Sequence, residues 1–248
     1  MNYFFTGIEL HPDFGFGITA DSYYNSAMHL TDNHYENYSV TQQAEMPENF
    51  LFRHSIELYI KSLIIIFHKS LKLNYGDRPF DTDRPQIEIE ENKWRDLYSC
   101  HYIDILYEYW LTKLLLPFAD ELKKIASKGE WIETEKISTL LNIVCKYDRD
   151  SSYFRYPITK YKELDHDKFT MQKFEVNSLK DHLDNLRNKK SDQKEATLTM
   201  LLVDGDKVLE AFENNQNILS DVRDGLKEIA YYFHCIHLMA RITICNGM

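Results

Sequence analysis

The stretch "NFLFRHSIELYIKSLIIIF" (residues 49–67) constrains the fold more than any other. Phe50, Leu51, Phe52, Ile56, Leu58, Tyr59, Ile60 and Leu63 to Phe67 leave little of a helix circumference polar. A helix this apolar lies inside a bundle or at a subunit interface. Yet Arg53, Glu57 and Lys61 recur at i, i+4 and i+8, one face of a helix, with His54 one step aside. Two readings follow. Either the stripe faces water and is steadied by i,i+4 pairs, or it is buried and needs partners from other helices or from a substrate.

The rest of the chain reads as helices around this one. Gly (8) and Pro (6) are scarce among 248 residues, against an all-β chain with many tight turns. A first helix is predicted at about 19–35, and the central one runs from Pro47, tolerated in a first turn, to about Leu71. Residues 74–92 read as a long surface loop, followed by a helix over 93–116 stopped by Pro117. "FADELKKIASKG" continues as a helix ending near Gly129, and another covers 134–148. Residues 151–169 read as loop or short extended structure, then a helix in "VNSLKDHLDNLRNKK" and a polar linker at 189–195. Residues 196–213 carry no decisive pattern, and 216–245 form a long last helix. The expected fold is therefore an all-α bundle with a short N-terminal extended arm (1–17) and a single domain over 18–248.

Other polar side chains are candidates for the same site. In "SCHYIDILYEYW", His101, Asp104 and Glu108 follow i, i+3, i+7, and this line meets the central stripe if the two helices pack antiparallel. A histidine beside a carboxylate suits acid–base chemistry near neutral pH, and equally suits a satisfied core histidine. "DRDSSYFRYP" brings Arg149 and Arg155 onto one loop. They read as a phosphate clamp with Tyr153, Phe154 or Tyr156 stacking on a base, or as arginines bound to helix carbonyls or an acidic neighbour. His234 and His237 stand at i, i+3 without a CxxC or HExxH partner, so packing is favoured over metal binding. No metal or cofactor is expected.

"FLFRHSIELYIKSLI", "SCHYIDILYEYW" and "YDRDSSYFRYP" together resemble the HEPN superfamily of α-helical domains, in particular bacterial members with an Arg-His-x-x-Glu-Leu-x-x-Lys helix. The resemblance covers roughly 18–190, leaving 196–245 as a helical extension. It implies a helical bundle that dimerises and a metal-independent ribonuclease of toxin–antitoxin or anti-phage type, with an antitoxin or other defence protein as a possible partner. In that family an Arg-x4–6-His motif at a shared cleft does the chemistry, histidine acting on the 2′-hydroxyl or leaving group and arginine on the phosphate. Carried over, the catalytic set is Arg53, His54, His101 and Arg155, with Glu57, Lys61, Arg95 and Asp104 as secondary candidates.

The late motif of the family is absent, since "LRNKKSDQKE" has no histidine in range. The match that exists is Arg95 to His101, and on one continuous helix its six steps leave the side chains roughly 120° apart. The pair suits one site only if Arg95 precedes the helix. An inactive HEPN-like module binding nucleotide, RNA or protein, and a helical scaffold, are the alternatives.

The net charge of −10 argues against a broad electrostatic footprint for nucleic acid while leaving room for a small basic site. Four dispersed cysteines in apolar contexts read as reduced thiols, and the N-terminus lacks the pattern of a secretory signal. A cytoplasmic protein that does not enter membranes is the expectation.

Overall fold

The computed structural model describes residues 5–32, 45–79, 83–126, 131–132, 134–188, 199–214 and 218–247. The chain divides into two compact units, one of residues 1–34, 45–156 and 221–248, the other of residues 35–44 and 157–220.

The first unit is built on the apolar helix. Helix α1 (Phe16–Asp32) packs along α2 (Glu45–Leu71), in which Leu63, Ile64, Ile65, Ile66 and Phe67 are wholly buried. Pro47 lies in the first turn of α2, where its missing N–H costs no helical bond. Strands β1 (Gln86–Glu90) and β2 (Lys93–Asp96) form an antiparallel pair, followed by α3 (Ile103–Tyr109). The helix then widens into a π stretch, Trp110–Leu115, and tightens into a 3-10 turn over Leu116–Phe118. Pro117 sits in that turn; lacking an N–H, it cannot continue the α ladder. Helices α4 (Ala119–Ile125) and α5 (Thr134–Asp148) follow.

The second unit holds α6 (Lys162–Asp165), β3 (Met171–Phe174), α7 (Leu179–Asn188), β4 (Thr199–Asp204) and β5 (Lys207–Asn214), its strands forming an antiparallel sheet in the order β3-β5-β4. Helix α8 (Ser220–Thr243), which lies almost wholly in the first unit, sets Phe233 edge-on against Trp110 at 5.4 Å.

The all-α expectation is overturned by the two antiparallel sheets. The loop predicted at 74–92 contains β1, whose Gln-Ile-Glu-Ile-Glu alternates with the period of a strand, and Asn92 turns the chain with φ 59°. The helix predicted over 93–116 begins only at Ile103, because Trp94 and Arg95 pair with Glu88 and Ile87 across the ladder. Residues 196–213 include a hairpin in which Asp204 pairs with Lys207, leaving the two-residue loop Gly205-Asp206 with Gly205 at φ 58°. The linker at 189–195 and Gly129 lie outside the described residues. Among the described residues no helix is long and apolar enough to cross a membrane.

The N-terminal arm is likewise not extended. Ile8–Leu10 form a 3-10 turn, and Asp13, wholly buried, ties the segment down. Its carboxylate accepts from the Gly17 backbone N–H (2.8 Å), the Ser62 hydroxyl of α2 (2.5 Å) and the Arg241 guanidinium of α8 (2.6 Å). The close approach requires glycine at position 17: a Cβ there would sit 2.0 Å from His237 Nε2 and 2.8 Å from an Asp13 oxygen. Gly225 differs, since a Cβ would meet Leu140 and Val144 at ordinary contact of 3.7 and 3.8 Å. Gly17→Ala is expected to lower stability by about 1 to 3 kcal/mol through overpacking, whereas Gly225→Ala leaves it unchanged or raises it by up to about 1 kcal/mol. Chemical denaturation of both variants checks the contrast.

Candidate functional site

The charge stripe of α2 is buried. Arg53 is wholly inaccessible, and the Glu57 and Lys61 side chains are only 1% and 3% exposed. Glu57 is the centre: Oε2 meets Arg53 Nη1 at 3.4 Å, while Oε1 meets Lys61 Nζ and His101 Nδ1, each at 2.9 Å. Burial by itself pushes the Glu57 carboxyl up, but the charges of Arg53 and Lys61 and the hydrogen bonds from Lys61 and His101 outweigh it and hold the group down at about 2.

The remaining donors of the two cations end on backbone. Arg53 donates from Nε to the Asp148 carbonyl (3.1 Å) and from Nη2 to the carbonyls of His101 (2.7 Å) and Arg149 (3.2 Å). Asp148 ends α5, so Arg53 caps that helix by taking carbonyls its own ladder leaves open. Lys61 donates to the Tyr98 carbonyl at 3.2 Å. The cluster thereby fastens α2 to the segment before α3 and to the end of α5.

His101 is the exposed member, its side chain 48% accessible. It lies in the coil just ahead of α3, and Arg95 lies on β2, so the pair does not share a helix. An ionised Glu57 only accepts, which puts the proton of the neutral ring on Nδ1 and leaves Nε2 with a lone pair. At the next residue, the guanidinium carbons of Arg149 and Arg95 stand 5.2 and 5.9 Å from the centre of the Tyr102 ring. Arg149 is held by Asp104, Nε to Oδ2 at 2.7 Å.

The other sequence candidates fall elsewhere. Asp104 meets Arg149 and not the α2 stripe, and Glu108 lines a cavity of about 250 Å³ with Glu88, Tyr109 and Lys113. His54 stacks on Phe50, and Arg155 stands over the other partner of that stack, Phe50, rather than beside Arg149. Tyr153 and Phe154 are buried, which removes them as base-stacking groups. His234 Nδ1 lies 2.9 Å from the Tyr59 hydroxyl and 3.1 Å from Asp21, while His237 Nε2 accepts from Arg241 at 3.2 Å. Among the described residues no group of three or more histidines, cysteines and carboxylates is disposed to hold a metal ion. The sequence reading missed Tyr102, whose position next to His101 was its one signal, and the carbonyls that Arg53 occupies, which no side-chain pattern reveals.

Comparison with protein-family models, curated proteins and solved structures finds no match.

Glu57 contributes stability that is fully present above pH 4.5, its ordinary value, and is lost as the pH falls toward about 2, a gap of about 3 kcal/mol. Glu57→Gln, which leaves two buried cations uncompensated, is expected to cost about 3 to 5 kcal/mol at neutral pH. Denaturation curves between pH 7 and 2 check both: the acid slope of the wild type exceeds that of the variant, the common remainder coming from groups such as Asp13 and Asp21 whose carboxyls are also held low.

Proposed function

We propose that the chain is a HEPN-like, metal-independent ribonuclease of bacterial toxin–antitoxin or anti-phage type, acting in the cytoplasm as a homodimer, with His101 as its acid–base group. The observation that carries the reading is the pair formed by a half-exposed histidine and a buried carboxylate, His101 Nδ1 to Glu57 Oε1 at 2.9 Å. A buried carboxylate that fixes the tautomer leaves the other ring nitrogen free to move a proton. In this reading Nε2 takes the proton of an RNA 2′-hydroxyl as that oxygen bonds to phosphorus. The 5′-oxygen leaves and takes a proton from solvent.

The arginines divide the remaining work. Arg149 and Arg95, gathered at Tyr102, supply positive charge for the phosphate, and Arg95 to His101 is the family-like Arg-x4–6-His pair. Arg53, with its donors committed to Glu57 and to carbonyls, is a positioning residue together with Lys61.

A second reading, an inactive module that binds RNA, nucleotide or a partner protein, is favoured by one observation: Arg53 and Lys61 are consumed inside the fold, as a structural lock would have them. Incubating a mixed RNA pool with the protein in EDTA separates the two. The ribonuclease reading expects cleavage that survives chelation, leaves 2′,3′-cyclic phosphate ends and falls at least about 100-fold in a folded His101→Ala variant. No cleavage by the folded wild type supports the inactive module.

A further inference from the structure

We propose that Phe50, His54, Tyr23 and Arg155 form a nucleobase site, separate from the His101 pair, whose ligand is an unpaired base of single-stranded RNA. The inference deepens the proposed function and rests on it only for the choice of RNA. Phe50 and His54, one turn apart on α2, stack with ring centres 5.7 Å apart and planes 7° from parallel. Tyr23 of α1 meets His54 edge-on, at 4.6 Å and 90°. Three half-buried rings from two packed helices therefore make a rigid platform, the surface on which an unstacked base gains most.

A movable group stands against the platform. The Arg155 guanidinium lies 5.7 Å from the Phe50 ring centre, and its exposed side chain has one hydrogen bond, of 3.3 Å, to the Ser151 hydroxyl. Arg155 has no carboxylate partner among the described residues, although the chain carries an excess of acidic groups. A base held between Phe50 and Arg155 needs roughly 7 Å, two contacts of about 3.5 Å each. Moving the guanidinium off the ring opens that space, opposed by its contact with the Phe50 ring and by the long bond to Ser151. The raised guanidinium covers the outer face of the base and reaches its phosphate.

Charge in the platform suits a base better than a free anion. Burial pulls the His54 pKa below its ordinary value, Glu57 opposes this, and the Arg155, Arg53 and Lys61 charges add to it, so the ring is neutral at pH 7. One guanidinium over neutral rings offers a π-face and a single anchor for phosphate. The arrangement favours a base-bearing strand over an equally charged strand without bases.

Fluorescence anisotropy with a labelled, non-cleavable 2′-O-methyl RNA hexamer and its abasic counterpart tests the site, in EDTA, on the wild type, Phe50→Leu, Arg155→Gln and Arg155→Lys. The wild type is expected to bind the base-bearing strand about tenfold or more tighter than the abasic one. Phe50→Leu, shown folded by circular dichroism, erases that difference without changing abasic affinity; Arg155→Lys, which keeps the charge but loses the planar fork, reduces the difference; Arg155→Gln weakens both strands. No binding, equal binding of the two strands by the wild type, or a folded Phe50→Leu that still discriminates overturns the proposal. A wild type that discriminates yet fails to cleave unmodified RNA refutes the ribonuclease reading and leaves the base site standing.

Discussion

One buried carboxylate organises the first unit. Removing a charged group from water costs several kcal/mol, and Glu57 offsets that cost with Arg53 and Lys61, one turn away on either side, and with His101. The cations face the same demand, and their remaining donors end on carbonyls of residues 98, 101, 148 and 149. A helix as apolar as α2 carries a line of charge because that line fixes two irregular chain segments against it, which apolar packing alone positions poorly. Replacing such a cluster with apolar side chains is often neutral for stability. Its contribution here is one of position.

Position matters because the segments it fixes carry the exposed polar groups. His101 and Tyr102 lie on one and Arg149 on the other, and the Ile103 N–H donates to the Arg149 carbonyl at 3.2 Å, joining the start of α3 to the end of α5. Ser151, buried at φ 63°, then turns the chain toward Arg155. The interior network and the surface groups are thus one construction: the charges inside α2 define where the charges outside it stand.

The parts legible in the sequence were those whose signal is local. The boundaries of α2, α5 and α8 lie close to their predicted places because long apolar periodicity and end signals agree there. Arg53, Glu57 and Lys61 on one face followed from spacing alone; that the stripe is buried was one of two readings left open, and the structure decides for it. The strands were missed although their signals were present: Gln-Ile-Glu-Ile-Glu alternates with period two, and Gly205-Asp206 separates two apolar runs. The scarcity of glycine and proline outweighed those short patterns. The partners of Arg53 beyond Glu57 were out of reach for a different reason, since they are backbone oxygens brought in by tertiary structure. Arg95 illustrates the consequence: placing it on a helix turned it away from His101, whereas on β2 that constraint disappears.

The central claim is that Glu57 fixes the tautomer of His101 so that Nε2 carries the lone pair. Long-range proton–nitrogen NMR correlations of the His101 ring, recorded at a pH where it is neutral, read that tautomer directly. The account predicts a ring protonated at Nδ1, with Nε2 showing the shift of an unprotonated nitrogen. A ring protonated at Nε2, or an even mixture of the two tautomers, contradicts it.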